Sequence, residues 1–154
     1  MLTRGDVVFV RGHGFIGDII EVVTHSHYSH VALAVSADTL IEAQGLEPVC
    51  YVPVSKYAGV ADVYRTNLDP LILDGVIAKA QSHIGDPYDY FLDALELVRC
   101  ETGIQIPYHE RHALICSMLI ADAFRPEHDP CPGIEYPTPG DEAKSTLWSY
   151  QFSY

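Results

Sequence analysis

Cys116 and His30 are the residues of this chain whose types and settings suit chemistry best. Cys116 stands in Leu114-Ile115-Cys116-Ser117-Met118-Leu119-Ile120, where an apolar approach runs into a helical pattern. A thiol at a helix start faces unpaired N–H groups and the positive end of the helix dipole, and both favour the thiolate. The same N–H groups can hold the oxyanion that forms when a carbonyl is attacked. His30 stands at the mouth of the apolar run His30–Val35, and an imidazole is the group that forms and holds such a thiolate. The ordinary explanations are a buried cysteine acting as a small hydrophobe and a histidine capping a strand edge. The helix-start position moves Cys116 towards nucleophile. Cys50 in a strand, Cys100 at a helix end and Cys131 between prolines have no comparable setting.

A base works best when a third group holds its ring. Glu42 is the candidate, because its strand, Leu40–Ala43, should pair antiparallel to His30–Val35 through the short turn at 36–38. A carboxylate there would accept from the second imidazole nitrogen and fix its tautomer. A solvent-facing glutamate on an alternating strand explains the residue equally well. Alternation puts His30, Ala32 and Ala34 on one strand face, and Val31, Leu33 and Val35 on the other. The small alanines suggest that a helix comes close on the histidine side. Tyr28 lies near enough to line the site and offer its hydroxyl to substrate, though an interfacial core tyrosine fits as well. Ser117, next to the nucleophile, and His112, in the polar loop His109-Glu110-Arg111-His112, complete the substrate-contacting set. His25, His27 and His30 invite a zinc reading. Their spacing matches no zinc motif and no fourth ligand is placed nearby, so neither a metal nor any other cofactor is expected.

The elements that must position these residues fit one domain, 1–154. With 154 residues and 48% hydrophobic content, the chain can build a single core. Lys and Arg number 9 against 21 Asp and Glu, a formal net charge of −12. That balance opposes a nucleic-acid backbone or an anionic membrane surface as partner and reads as a solvated acidic shell. The start of the chain lacks the features of a secretory signal, and no apolar run reaches the roughly 18 residues of a spanning helix. The expectation is a protein cytoplasmic as synthesised, without stable membrane insertion; release on lysis or packaging into a phage particle would be other routes. The oligomeric state is open, and the four cysteines, without CxxC spacing, are expected to be free thiols.

Strands are expected at Val7–Val10, His30–Val35, Thr39–Ala43, Val49–Val54 and Val60–Tyr64, with the fourth at an edge because of Pro53. A helix of roughly two turns should span 15–24. Asp69-Pro70 reads as an N-cap and first helical position, followed by the stripe Leu71, Ile72, Val76, Ala80 and Ile84, with a stop at Gly85-Asp86-Pro87. A second helix runs through Tyr90, Phe91, Ala94, Leu95 and Val98, and a third opens near Cys116 and ends before Pro126. The tail from Glu127 to Tyr136 should be irregular, and Pro139–Glu142 a last helical turn. Strands first and helices later argue for an α+β domain, an antiparallel sheet packed against helices.

Taken in order, Gly5-Asp6-Val7-Val8-Phe9, Tyr28-Ser29-His30-Val31, Ile41-Glu42-Ala43, Gly85-Asp86-Pro87-Tyr88-Asp89-Tyr90, Ile115-Cys116-Ser117 and Thr138-Pro139-Gly140-Asp141 resemble the permuted papain-like NlpC/P60 enzymes of the YiiX/YaeF type. Histidine before cysteine is the mark of the permuted branch. The resemblance covers residues 5 to about 145. It implies a circularly permuted papain-like fold with a cysteine nucleophile, a histidine base and a third polar residue, which fall on Cys116, His30 and Glu42. It also implies thiol-based acyl chemistry. Relatives in the wider group cleave amide bonds of peptidoglycan stem peptides, often at the γ-D-glutamyl linkage. Permuted members similar to lecithin retinol acyltransferase move acyl chains between lipids and acceptors. The substrate implied is therefore a peptidoglycan-derived peptide, with an acyl-bearing small molecule as the alternative and a non-catalytic binding or structural module as the second. Cell-wall members usually carry a signal or lipoprotein anchor; neither is read in this sequence, so the expectation departs from a routine periplasmic role and admits a phage-encoded or intracellular one.

Overall fold

Val7-Val8-Phe9-Val10 contains no polar residue, and all of it is buried because it forms the middle of a sheet covered on both faces. The computed structural model describes residues 1–12, 26–45, 47–89, 95, 98, 99, 101–104, 114–126 and 128–154. In chain order the strands are β1 (Val7–Arg11), β2 (Tyr28–Ala34), β3 (Thr39–Gln44), β4 (Glu47–Pro53), β5 (Ala61–Thr66) and β6 (Trp148–Ser153). They form one antiparallel sheet in the order β4-β3-β2-β1-β5-β6. The β2–β3 hairpin forms as expected, and β4, which ends at Pro53, lies at an edge. Strand β6 was not anticipated. Its alternation of Trp148, Tyr150 and Phe152 with polar residues is the signal for it, and its place beside β5 breaks the strands-then-helices order.

Helices α1 (Pro70–Gln81), α2 (Cys116–Phe124) and α3 (Pro139–Glu142) follow. Asp69 caps α1, accepting from Leu71 N at 2.8 Å. Its buried stripe is Val76, Ile77 and Ala80, whereas Leu71 and Ile84 are exposed. The expected stripe was thus wrong at both ends: α1 ends at Gln81, and Ile84 lies in the turn beyond it. Leu95, Val98 and Arg99 are helical, in line with the helix expected there, while the helix at 15–24 lies outside the described residues. The segment 128–136 is irregular, and Pro139–Glu142 is helical behind a capping box of Thr138 and Asp141.

One sheet face carries Val7, Phe9, Val31, Leu33, Ile41 and Ala43, packed with Val76, Ile77, Leu119, Ile120, Phe124 and Trp148. The other carries Val8, Val10, Ala32, Ala34, Leu40, Ala61 and Val63, covered by Leu2 and by Val54 and Tyr57 of a 3-10 turn, Val54–Tyr57. Helix α2 therefore covers the Val31/Leu33 face, and among the described residues no α-helix approaches on the alanine side, where one was expected. Leu119, Ile120 and Phe124 of α2 are fully buried there, worth roughly 1.5–3 kcal/mol each relative to exposure. No disulfide joins the described cysteines Cys50, Cys116 and Cys131.

Candidate active site

His30 lies on β2, one residue past an irregularity in its pairing with β1. His30 pairs with Val10, but Tyr28 pairs with Arg11, so Ser29 is the extra residue of a bulge. A bulge re-aims the side chains on either side of it. Tyr28 accordingly turns to the helix-covered face, its ring 5.3 Å from that of Phe9. There its hydroxyl donates to Asp62 Oδ2 at 2.9 Å and lies 3.1 Å from the Tyr64 hydroxyl. Burial, then those two partners, raises the Tyr28 phenol well above its usual range. His30 goes to the opposite face, with Ala32 and Ala34.

There the imidazole meets Glu42. Nε2 of His30 is 3.0 Å from Glu42 Oε2, and both side chains are buried. Pairing of β2 with β3 covers only Leu33↔Ile41 and Ala34↔Leu40, so the two side chains meet beyond the last paired rung. Glu42 is 1% exposed, and a carboxylate buried that far needs donors. Besides His30 it accepts from Lys56 Nζ on Oε1 and from the Tyr57 hydroxyl on Oε2 at 2.6 Å. Burial alone would raise the carboxyl. The donations from His30, Lys56 and Tyr57 outweigh it and hold Glu42 down to about 2. Glu42 is thus an ion in the fold, and the solvent-facing reading of it does not hold.

Cys116 opens α2, which packs against β2 and β3. The thiol is buried in the cluster that includes Val31, Leu33 and Ala43. The helix N-cap is Ile115, whose apolar side chain makes no capping bond. The Gly85-Asp86-Pro87-Tyr88-Asp89 segment fixes this helix start. Gly85 N donates to Val49 O and Val49 N to Asp86 O, each at 2.9 Å. Leu114 N then donates to Pro87 O (3.0 Å) and Asp89 N to Leu114 O (3.2 Å). One short segment thereby ties edge strand β4 to the residues that lead into Cys116. His83 adds a second tie, its ring nitrogens 2.8 Å from Asp86 Oδ2 and 2.9 Å from Asp122 Oδ2 of α2.

The Tyr57 phenol is raised far above its ordinary value by burial first and then by Glu42. Of the other described thiols, burial and then Glu42 raise Cys50, and burial and then Glu142 push Cys131 up to about 12, which disfavours their thiolates. A surface cleft of about 350 Å³, lined by Glu42, Gln44, Cys50, Val52 and Lys56 among others, opens on the solvent side of Glu42.

Of the expected substrate-contacting residues, Ser117 is fully buried, its hydroxyl unbonded among the described residues. Tyr28 spends its hydroxyl inside the fold, and His112 lies outside the described residues. His25 also lies outside them, and His27 is exposed. Lys56 and Tyr57 were not singled out from the sequence. The signal for them was Glu42 itself, since a carboxylate amid Leu40, Ile41 and Ala43 must find donors, and these two follow directly on the strand that pairs with it.

The fold is a small α+β architecture with a six-stranded antiparallel sheet and a few helices. It is similar to the crystal structure of the metalloprotein yiiX from Escherichia coli O157:H7, with a TM-score of 0.59 and 16% sequence identity over 99% of this chain and 97% of that one. This shows a yiiX-like fold. No family model matches the chain, and no curated protein sequence matches it. No helix among the described residues is long and apolar enough to cross a membrane.

Proposed function

We propose that this chain is a cysteine-dependent hydrolase of the permuted papain-like type that cleaves an amide bond, with the γ-D-glutamyl linkage of peptidoglycan stem peptides as substrate. The observation that carries the reading is the buried His30–Glu42 pair, whose histidine lies on the strand that the helix beginning at Cys116 packs against. Glu42 engages Nε2 of His30, which leaves Nδ1 as the nitrogen to take the thiol proton. In this reading the thiol meets the imidazole where β2 and β3 cease to pair. The thiolate attacks the carbonyl carbon, and first-turn N–H groups of α2 hold the oxyanion. The C–N bond breaks as the imidazolium protonates the departing amine. His30 then deprotonates water, which attacks the thioester and releases acid and free thiol.

The yiiX neighbour is described as a metalloprotein. Among the described residues no group of three or more His, Cys, Asp and Glu side chains is arranged to hold a metal ion. At Glu42 the Lys56 ammonium already occupies the carboxylate. These residues do not fit a metal centre there, and no step is routed through one.

The test is release of amine from a γ-D-glutamyl stem peptide, run beside an acyl ester. The intact chain should show saturable release from the peptide, and Cys116→Ala should lower it by about 10³-fold or more. Unchanged turnover in Cys116→Ala would overturn the nucleophile. Cys116-dependent release from the ester alone would replace the peptidase reading with a lipid-directed thioesterase or acyltransferase.

A further inference from the structure

Tyr57 touches both members of the His30–Glu42 pair. Its hydroxyl donates to Glu42 Oε2 at 2.6 Å, and its ring centre lies 5.6 Å from the imidazole at an interplanar angle of 40°. Lys56, its neighbour on the 3-10 turn, reaches the other carboxylate oxygen, so both oxygens of Glu42 are engaged. Gln44 Oε1 accepts from Lys56 at 2.6 Å and lies 3.0 Å from the Tyr57 hydroxyl. The two donors are thus tethered to the strand that carries Glu42. A carboxylate with only its histidine bond could rotate about its terminal torsion, whereas one bonded at both oxygens has a single orientation.

We propose that Lys56 and Tyr57 are positioning residues that aim Glu42 at His30 Nε2 and hold the imidazole plane. Neither reaches the reacting atoms in this arrangement; they act through the carboxylate and the ring. The inference rests on the proposed use of His30 as base, and it adds a supporting shell that the Cys116, His30 and Glu42 assignment does not contain. A shell of this kind keeps the imidazole in one tautomer, with its proton on Nε2.

The test reads that proton directly. The His30 Nε2–H resonance, assigned by its loss in His30→Ala, is followed by NMR for exchange with solvent. Tyr57→Phe keeps the ring and removes the donor, and Lys56→Met acts on a partly exposed side chain. Each should speed exchange of the Nε2–H by about tenfold, while the backbone amides of Leu33 and Ala34 keep their wild-type exchange. Lys56→Arg should restore slow exchange. In parallel, the rate of Cys116 alkylation by iodoacetamide, resolved by peptide mass, should fall roughly three- to tenfold in the two disrupting variants. Exchange within twofold of wild type in both variants would overturn the proposal. If the Nε2–H responds while Cys116 is inert even in the unmodified chain, the positioning role stands and the hydrolase reading fails.

Discussion

At the scale of single residues, Glu42 sets the chemistry of its surroundings. Its carboxyl is held at about 2 against an ordinary 4.5. A depressed acid contributes stability that is present above its unfolded value and lost as pH falls through the folded one. Here the loss should run from about pH 4.5 down to about 2, and a shift of this size corresponds to roughly 3 kcal/mol. Glu42→Gln should therefore flatten the acid limb of the stability curve over that window, measured by urea unfolding at a series of pH values. The same variant should lose stability at pH 7, because Lys56 and Tyr57 keep their places with no charge to receive them. An acid limb identical to that of the unmodified chain would show that Glu42 is not ionised in the fold.

At the scale of elements, the helix start and the histidine strand are each held by a short connecting segment. Gly85 has φ 91°, a conformation L side chains rarely adopt, and sits between its bonds to β4 and the run that holds Leu114. Open space surrounds its missing Cβ, so Gly85→Ala should cost only the backbone term, about 1–2 kcal/mol. The check is a lower urea midpoint with an unchanged slope. Gly140 differs: a Cβ there would overlap the side chain of Ser26, which accepts from Tyr28 N at the head of β2. Gly140→Ala should displace the head of β2, and it should slow alkylation of Cys116 as well as lower stability. Thr138-Pro139-Gly140-Asp141 is legible as a capped turn from its residue types alone. Its closeness to β2 is not, because nothing local to either segment encodes the other.

At the scale of the whole molecule, β6 closes one edge of the sheet and brings Trp148 into the core. The indole lies 6.0 Å from the Phe9 ring and 5.5 Å from that of Phe124, and its N–H donates to Glu142 O at 2.9 Å. Trp148→Phe should retain most of the packing, while Trp148→Ala should cost about 3–5 kcal/mol, read as a fall in denaturant midpoint by circular dichroism. A loss under 1 kcal/mol would mean that the last strand is dispensable. The net charge of −12 predicts that screening of self-repulsion by moderate salt raises the melting temperature.

Local pattern determined much of this protein. The apolar run of β1, the hairpin through 36–38, the Asp69-Pro70 helix start, the edge placement of β4 and the helix opening at Cys116 all follow from periods, caps and turns written within a few residues of each other. The pairing of His30 with Glu42 was also within reach, since a short hairpin fixes which residues can meet. Tertiary structure decided the rest. A bulge at Ser29, set by register with β1, sent Tyr28 and His30 to opposite faces, which strict alternation could not anticipate. Leu119, Ile120 and Phe124 pack α2 on the Val31/Leu33 face, where the small alanines had suggested the other. Lys56 and Tyr57 became partners of Glu42 only because β4 returns the chain beside β3. A buried charge creates the demand for donors, but which donors answer it depends on how distant segments come together.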